Sequence, residues 1–213
     1  MHFLPPAIEA YAQSHSEDEP ALLAELRRDT HLKHIQPRML SGHFQGRVLS
    51  VLSKIIKPKT VLEIGTYTGY SALCLAEGLP DDGVLHTIEV NPELRKIQEE
   101  YIARAGYQKQ IILHTADALE LIPQLDIDID LVFIDAEKKN YRAYFEVVLP
   151  KMKSGGVLLI DNVLWTGKVV EPLDPKDKTT EALLSFNRYM KEHPRLSTVL
   201  MPLRDGLTMS LVR

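Results

Sequence analysis

The spacing of apolar residues divides the chain into two stretches of different period. From Met1 to Lys57 the pattern is helical and carries no strand alternation. Ile8 to Ala12 predicts a short helix. Ala21 to Leu32 predicts a second, with Ser16-Glu17-Asp18-Glu19 before Pro20 as its cap region. His31 to Gly46 is broken by Pro37 and Gly42. Val48, Leu49, Leu52, Ile55 and Ile56 then return at helical spacing and predict a helix over Gln45 to Ile56, ended by Pro58.

From Lys59 onward the pattern changes to short β-branched runs that alternate with amphipathic ones. Strands are predicted at Lys59–Ile64, Val84–Val90, Ile111–His114, Ile129–Ile134 and Val157–Ile160, the last entered through a Gly155-Gly156 turn. Helices are predicted at Tyr70–Leu79, Pro92–Ala105, Asp117–Ile122, Lys138–Leu149 and Thr180–Glu192. Asn91-Pro92 supplies a cap and a first-turn proline. Leu196–Leu200 and Leu207–Val212 read as a hairpin through Arg204-Asp205-Gly206. Such alternation specifies an α/β fold, a doubly wound and mostly parallel seven-stranded sheet with one antiparallel strand near its end. The expected organisation is one domain over residues 1–213. Residues 1–57 form a helical arm that covers the ligand edge or meets a second subunit, and 58–213 form the core.

The first strand, turn and helix place backbone N–H groups and a positive helix end where a polar ligand can sit. Glu63-Ile64-Gly65-Thr66-Tyr67-Thr68-Gly69 has the spacing E-x-G-x-x-x-G. A dinucleotide fingerprint needs a close-approach glycine two residues after the first. Tyr67 stands at that place, and its ring would crowd a diphosphate. The acid at the strand end suits a cationic group instead, such as an amino-acid ammonium.

Glu63, Glu89, Asp135 and Asp161 all fall at or beside the carboxyl end of a predicted parallel strand, the edge where open α/β sheets bind ligands. Glu89 is placed to accept hydrogen bonds from a ribose diol, and Asp117 to lie near the base of the same nucleoside. Asp135 with Asp161-Asn162 offers two carboxylates and an amide carbonyl. These hard oxygen donors suit Mg²⁺, Ca²⁺ or Mn²⁺. Lys138, beside such an ion and a helix start, would have its ammonium disfavoured and so serve as a base. The bland alternatives are a solvated Lys138-Lys139 pair and a simple Asp161-Asn162 turn. His31, His34 and His43 invite a metal reading too, but no carboxylate accompanies them, and exposed histidines on an amphipathic helix explain them better.

Composition narrows the class. The net charge is −4 with 25 basic and 29 acidic residues and no basic tract, which argues against nucleic acid or an anionic membrane as partner. The single cysteine, Cys74, excludes an intrachain disulfide and a cysteine-based zinc site. No leader and no long apolar run is visible, so the expected location is the cytoplasm.

Together these stretches resemble the class I, S-adenosylmethionine-dependent methyltransferases with a Rossmann-like fold. Within them the chain is similar to the metal-dependent catechol and caffeoyl-CoA type O-methyltransferases. The resemblance runs from about Met39 to the C-terminus. It rests on Glu63 to Ser71, Ile88-Glu89-Val90-Asn91-Pro92, Phe133 to Lys138 and Asp161-Asn162-Val163-Leu164-Trp165. It implies that Glu63, Gly65, Tyr67 and Ser71 surround the methionine part of the cofactor, with Met39 and Ser41 closing over it. Glu89 would hold the ribose, and Asp117 with Ala118 the adenine. Asp135, Asp161 and Asn162 would ligate the metal, Mg²⁺ before Ca²⁺ or Mn²⁺, with Asp135 also beside the cofactor. Lys138 matches the family's catalytic lysine, acting with Asp135 and touching the substrate, and Trp165 would line the pocket of a vicinal-dihydroxy phenolic acceptor. Members are commonly homodimers. The chain departs from the plant caffeoyl-CoA pattern at Lys139 and over its first forty residues, which leaves the acceptor and any CoA requirement open. Two readings from other classes stand beside this one, a non-catalytic S-adenosylmethionine sensor and an NAD-binding oxidoreductase. Tyr67 argues against the latter.

Overall fold

A computed structural model of the chain describes residues 5–213. Seven strands form one sheet in the order β3-β2-β1-β4-β5-β7-β6. The chain divides into two compact units, Pro6–Asp117 and Ala118–Arg213.

The first unit opens with α1 (Pro6–Ser14), α2 (Ala21–Lys33) and α3 (Gly42–Ile56), with a 3₁₀ turn at Pro37–Met39. Helix α2 begins after Pro20 with no side-chain cap, contrary to the expectation for Ser16 to Glu19. Those acids make tertiary bonds instead. Glu19 accepts from Arg27 and from the Tyr70 hydroxyl, and Glu17 pairs with Arg47. Helix α3 starts three residues before the predicted Gln45, because Gly42 opens the helix and does not break it. Next come β1 (Thr60–Ile64), α4 (Tyr70–Ala76), β2 (Val84–Glu89), α5 (Arg95–Ala105) and β3 (Ile111–Thr115). Strands β1, β2 and β3 are parallel in register, Ile64 against Ile88 and Ile88 against His114. Helix α4 stops at Ala76, short of the predicted Leu79. At Gly78 any Cβ would lie 2.2 Å from the Ser53 backbone, so the chain must thin where it passes α3.

The second unit holds α6 (Ala118–Leu121), β4 (Ile129–Ile134), α7 (Tyr141–Val148), β5 (Met152–Asp161), α8 (Lys178–Glu192), β6 (Leu196–Met201) and β7 (Leu207–Val212). Strand β4 is buried at every residue but Asp130, as a strand covered on both faces must be. Strand β5 is longer than predicted. Ile129 pairs with Met152 and Leu131 with Val157, so Gly155-Gly156 lies in a bulge within the strand and does not precede it. Strand β7 runs antiparallel to both β5 and β6 and is therefore internal, with Leu207, Thr208, Ser210 and Val212 buried. Its hairpin partner β6 is left as the edge, with Val199 and Leu200 exposed.

Candidate functional site

In the first unit the site grows from the turn after β1. The Gly65 and Thr66 N–H groups donate to the Ile88 carbonyl at 3.0 and 3.3 Å, so the turn stays tied to β2. Gly69 (φ 94) donates to the Thr66 carbonyl and opens α4. Tyr67 between them is left-handed at φ 48, a conformation that bulky residues rarely adopt. Three bonds surround it. Its N–H donates to Glu89 Oε2 at 2.8 Å, its carbonyl accepts from Gln98 Nε2 at 2.7 Å, and its hydroxyl donates to the Gln36 carbonyl at 3.1 Å. Burial, then the Glu89 charge, raises the Tyr67 hydroxyl above its ordinary pKa, which keeps it a donor.

Glu89 ends β2 half-buried. Its second oxygen accepts from the Asn91 N–H at 2.9 Å. Each carboxylate oxygen is thus fixed by one backbone donor and retains a lone pair for a second, the arrangement a diol requires. Glu63 behaves differently. It is 0% exposed, and the Thr87 hydroxyl donates to its Oε2 at 2.5 Å, with Thr66 Oγ1 bonded to Thr87 in turn. Its carboxylate is enclosed by protein, so it orders the turn from behind. Ser71 is buried in the first turn of α4, and Ser41 is buried just before α3. Met39 is half-exposed at the end of its 3₁₀ turn. Asp117 is exposed beyond β3, followed in sequence by buried Ala118.

In the second unit β4 and β5 end side by side, Ile134 paired with Ile160, so Asp135 follows β4 just where Asp161 closes β5. Asp161 is 2% exposed, and its carbonyl accepts from the buried Tyr141 hydroxyl at 2.9 Å. Burial first, then the charges of Asp135 and Asp161, pushes the Tyr141 phenol well above its ordinary pKa. Lys138 Nζ lies 2.9 Å from Asp135 Oδ1, both side chains being 15% exposed. Asn162 turns the chain at φ 57, a left-handed position that asparagine tolerates better than most residues. Trp165 (φ 48) and Thr166 (φ 53) follow in the same unusual region. Such a run persists only where its surroundings over-determine it. Here the Asp205 carboxylate accepts from the Thr166 N–H at 2.5 Å and its carbonyl from the Leu164 N–H at 2.9 Å, while Asn187 donates to the Val163 carbonyl at 2.9 Å. Burial raises the Asp205 carboxyl above the usual range against the pull of that N–H and of Lys138.

Two carboxylates and an amide carbonyl fit a hard divalent cation. One of these donors, Asp135, already pairs with the Lys138 ammonium. Among the described residues no group of three or more His, Cys, Asp or Glu is placed to hold a metal. The histidines are engaged otherwise. His31 donates to the Arg27 carbonyl, His43 to the Glu17 carbonyl, and the His34 ring lies edge-on to Tyr67.

The O-methyltransferase family model matches residues 13–213, across both units. The chain belongs to the O-methyltransferase family. It is 36% identical to caffeoyl-CoA O-methyltransferase 2 of Eucalyptus globulus over 202 residues, 90% of this chain and 81% of that one. Among solved structures, the O-methyltransferase from Bacillus cereus in complex with SAH aligns with TM-score 0.89 at 28% identity, covering 97% of each chain. The O-methyltransferase TomG of Streptomyces achromogenes, in complex with SAM, aligns with TM-score 0.87 at 29% identity, covering 97% of this chain and 96% of that one. Membership in this family sets the dinucleotide oxidoreductase reading aside. Sequence reasoning on this O-methyltransferase missed Thr66, Thr87, Gln98, Tyr141, Asn187 and Asp205. Of these only Asp205 gave a signal, as the polar member of a hairpin tip; the others are polar or aromatic residues whose partners are distant in sequence.

Proposed function

We propose that this O-methyltransferase takes the methyl of S-adenosylmethionine and places it on one hydroxyl of a catechol-like acceptor, with a divalent cation, Mg²⁺ first, held by Asp135, Asp161 and Asn162. The observation that carries this reading is the Asp135–Lys138 ion pair at the end of β4, register neighbour to the Asp161-Asn162 end of β5. The sulfonium supplies an electrophilic methyl, and the cation supplies Lewis-acid charge that lowers the cost of a phenolate. Glu89 accepts from the ribose diol. Gly65, Tyr67 and Ser71 line the methionine part, with Glu63 ordering their turn, and Met39 and Ser41 close over it. Asp117 and Ala118 flank the adenine. Lys138, oriented by Asp135, takes the acceptor proton as its neutral amine and holds it as the ammonium, and Trp165 walls the acceptor ring.

The single-domain reading is supported by the unbroken family match over 13–213. A homodimer is supported by α1, which has no buried residue and exposes Ile8 and Tyr11. The location we propose is the cytoplasm; among the described residues no helix is long and apolar enough to cross a membrane. The test is kcat/KM for a vicinal aromatic diol against its single-hydroxyl analogue, with Mg²⁺. An acceptor with two adjacent oxygens is fixed at both, whereas a lone phenol swings, and misplacement on the order of 1 Å costs ~100-fold. Equal values would overturn the catechol reading. No turnover of any phenol, with S-adenosylmethionine still bound, would favour the sensor reading.

A further inference from the structure

We infer that Gln98 is a positioning residue for the cofactor: through the Tyr67 turn it sets the orientation of Glu89. The inference rests on the reading of Glu89 as the ribose carboxylate.

Gln98 lies on α5 and is 2% exposed. A buried amide on a helix is costly unless it makes a specific bond. Its Nε2 crosses from α5 to the Tyr67 carbonyl at 2.7 Å. That carbonyl belongs to the peptide after Tyr67, and the N–H that donates to Glu89 Oε2 at 2.8 Å belongs to the peptide before it. The two bonds therefore clamp both sides of one left-handed tyrosine (φ 48). A residue in this region returns to ordinary φ and ψ when a clamp is lost. Rotation of that kind carries the Tyr67 N–H away from Glu89. The carboxylate then keeps only the Asn91 N–H, which comes from its own strand end. Of the remaining ties of the turn, Tyr67 hydroxyl to Gln36 and Thr30 to Thr68 hold side chains, and the Gly69 N–H on the Thr66 carbonyl at 2.9 Å holds only the peptide before Tyr67, so Gln98 is the tie on the peptide after it.

Calorimetry with S-adenosylhomocysteine on the full chain tests this. Gln98→Met keeps the volume and removes the donor, and Kd is expected to rise about 3- to 10-fold, the effect of one hydrogen bond. Gln98→Lys restores a donor of similar reach and recovers most of the affinity. In the ligand-free protein the Tyr67 amide exchanges faster in Gln98→Met than in wild type, by NMR. In a Glu89→Ala background Gln98→Met causes no further loss, because the amide acts through that carboxylate. Unchanged affinity in Gln98→Met, or the same fold-loss with Glu89 removed, would overturn the inference. Wild-type affinity in Glu89→Ala alone would instead overturn the ribose reading, and the inference with it. Should the methionine variant not fold, Gln98→Asn, one methylene too short to reach, is expected to weaken binding where Gln98→Lys does not; equal binding by those two overturns the inference.

Discussion

Glu89 and Lys138 carry the sharpest single-residue expectations. Glu89 is held by two backbone N–H groups, so its carboxylate needs no reorganisation to accept a diol. Glu89→Ala is expected to weaken S-adenosylmethionine binding by about 1.5–3 kcal/mol, the range for charge-assisted hydrogen bonds. Unchanged affinity by calorimetry would remove it from the ribose site. Lys138 sits on Asp135, and the role proposed for it is on the acceptor proton, not on the acceptor ring. Lys138→Ala is therefore expected to lower kcat more than it raises acceptor KM; a pure KM effect in steady-state kinetics would count against it as the base. At this scale the sequence was informative where a charged residue ends a strand. Glu89, Asp135 and Asp161 were legible because strand ends can be read from apolar runs. Glu63 obeys the same rule yet is enclosed, since one residue earlier on the strand its carboxylate meets Thr87 within the sheet. No sequence pattern announces a hydroxyl partner twenty-four residues away. Gln98 was hidden for the same reason.

Elements were legible as far as local period and breakers decide them. All seven strands were found, and boundaries failed where tertiary contacts end an element, as at α4 against α3 or in the β5 bulge. Pairing order was less legible, because only the buried alternation of β7 in three dimensions makes it internal. The β6–β7 hairpin has a second use, since Asp205 and Gly206 clasp the turn that carries Asn162 and Trp165. At Gly206 (φ 87) a Cβ would lie 2.5 Å from Leu164 Cγ and 2.9 Å from its backbone nitrogen. Gly206→Ala is expected to cost about 1–3 kcal/mol by denaturant unfolding. The α3–α4 contact makes a pH prediction. Burial alone would raise the Glu77 carboxyl, but Arg47, with Lys54 and Ser50, holds it down at about 2, against an ordinary 4.5. A depressed folded pKa contributes stability that is present above about 4.5 and lost as pH falls through about 2. Glu77→Gln is expected to remove about 2–4 kcal/mol at pH 7, since it leaves the buried Arg47 only the longer carboxylate contact with Glu17, and to flatten this acid limb of the stability curve. An unaltered limb would show that Glu77 is not the group responsible.

On the scale of the whole molecule, the proposed roles divide by unit. Glu63, Tyr67, Ser71 and Glu89 belong to 6–117, while Asp135, Lys138, Asp161, Asn162 and Trp165 belong to 118–213. The turn that places Glu89 is closed by bonds within the first unit, to Ile88, Asn91, Gln98 and Gln36. The Asn162–Thr166 turn is closed within the second, by Asp205 and Asn187. Each turn is closed by protein groups, and Asp135 has the Lys138 ammonium as a counter-charge. Removal of a divalent ion should then leave both turns standing. Treatment with a chelator is expected to abolish turnover while the melting temperature and S-adenosylhomocysteine affinity stay unchanged, the latter within about twofold. Asp161→Asn should behave likewise, because one neutral amide in place of a carboxylate weakens a hard-cation site more than it disturbs a buried hydrogen-bonding position. Full turnover in chelator, with the protein shown metal-free by elemental analysis, would refute the metal assignment. A loss of cofactor affinity in step with the ion would show instead that the two halves are energetically linked.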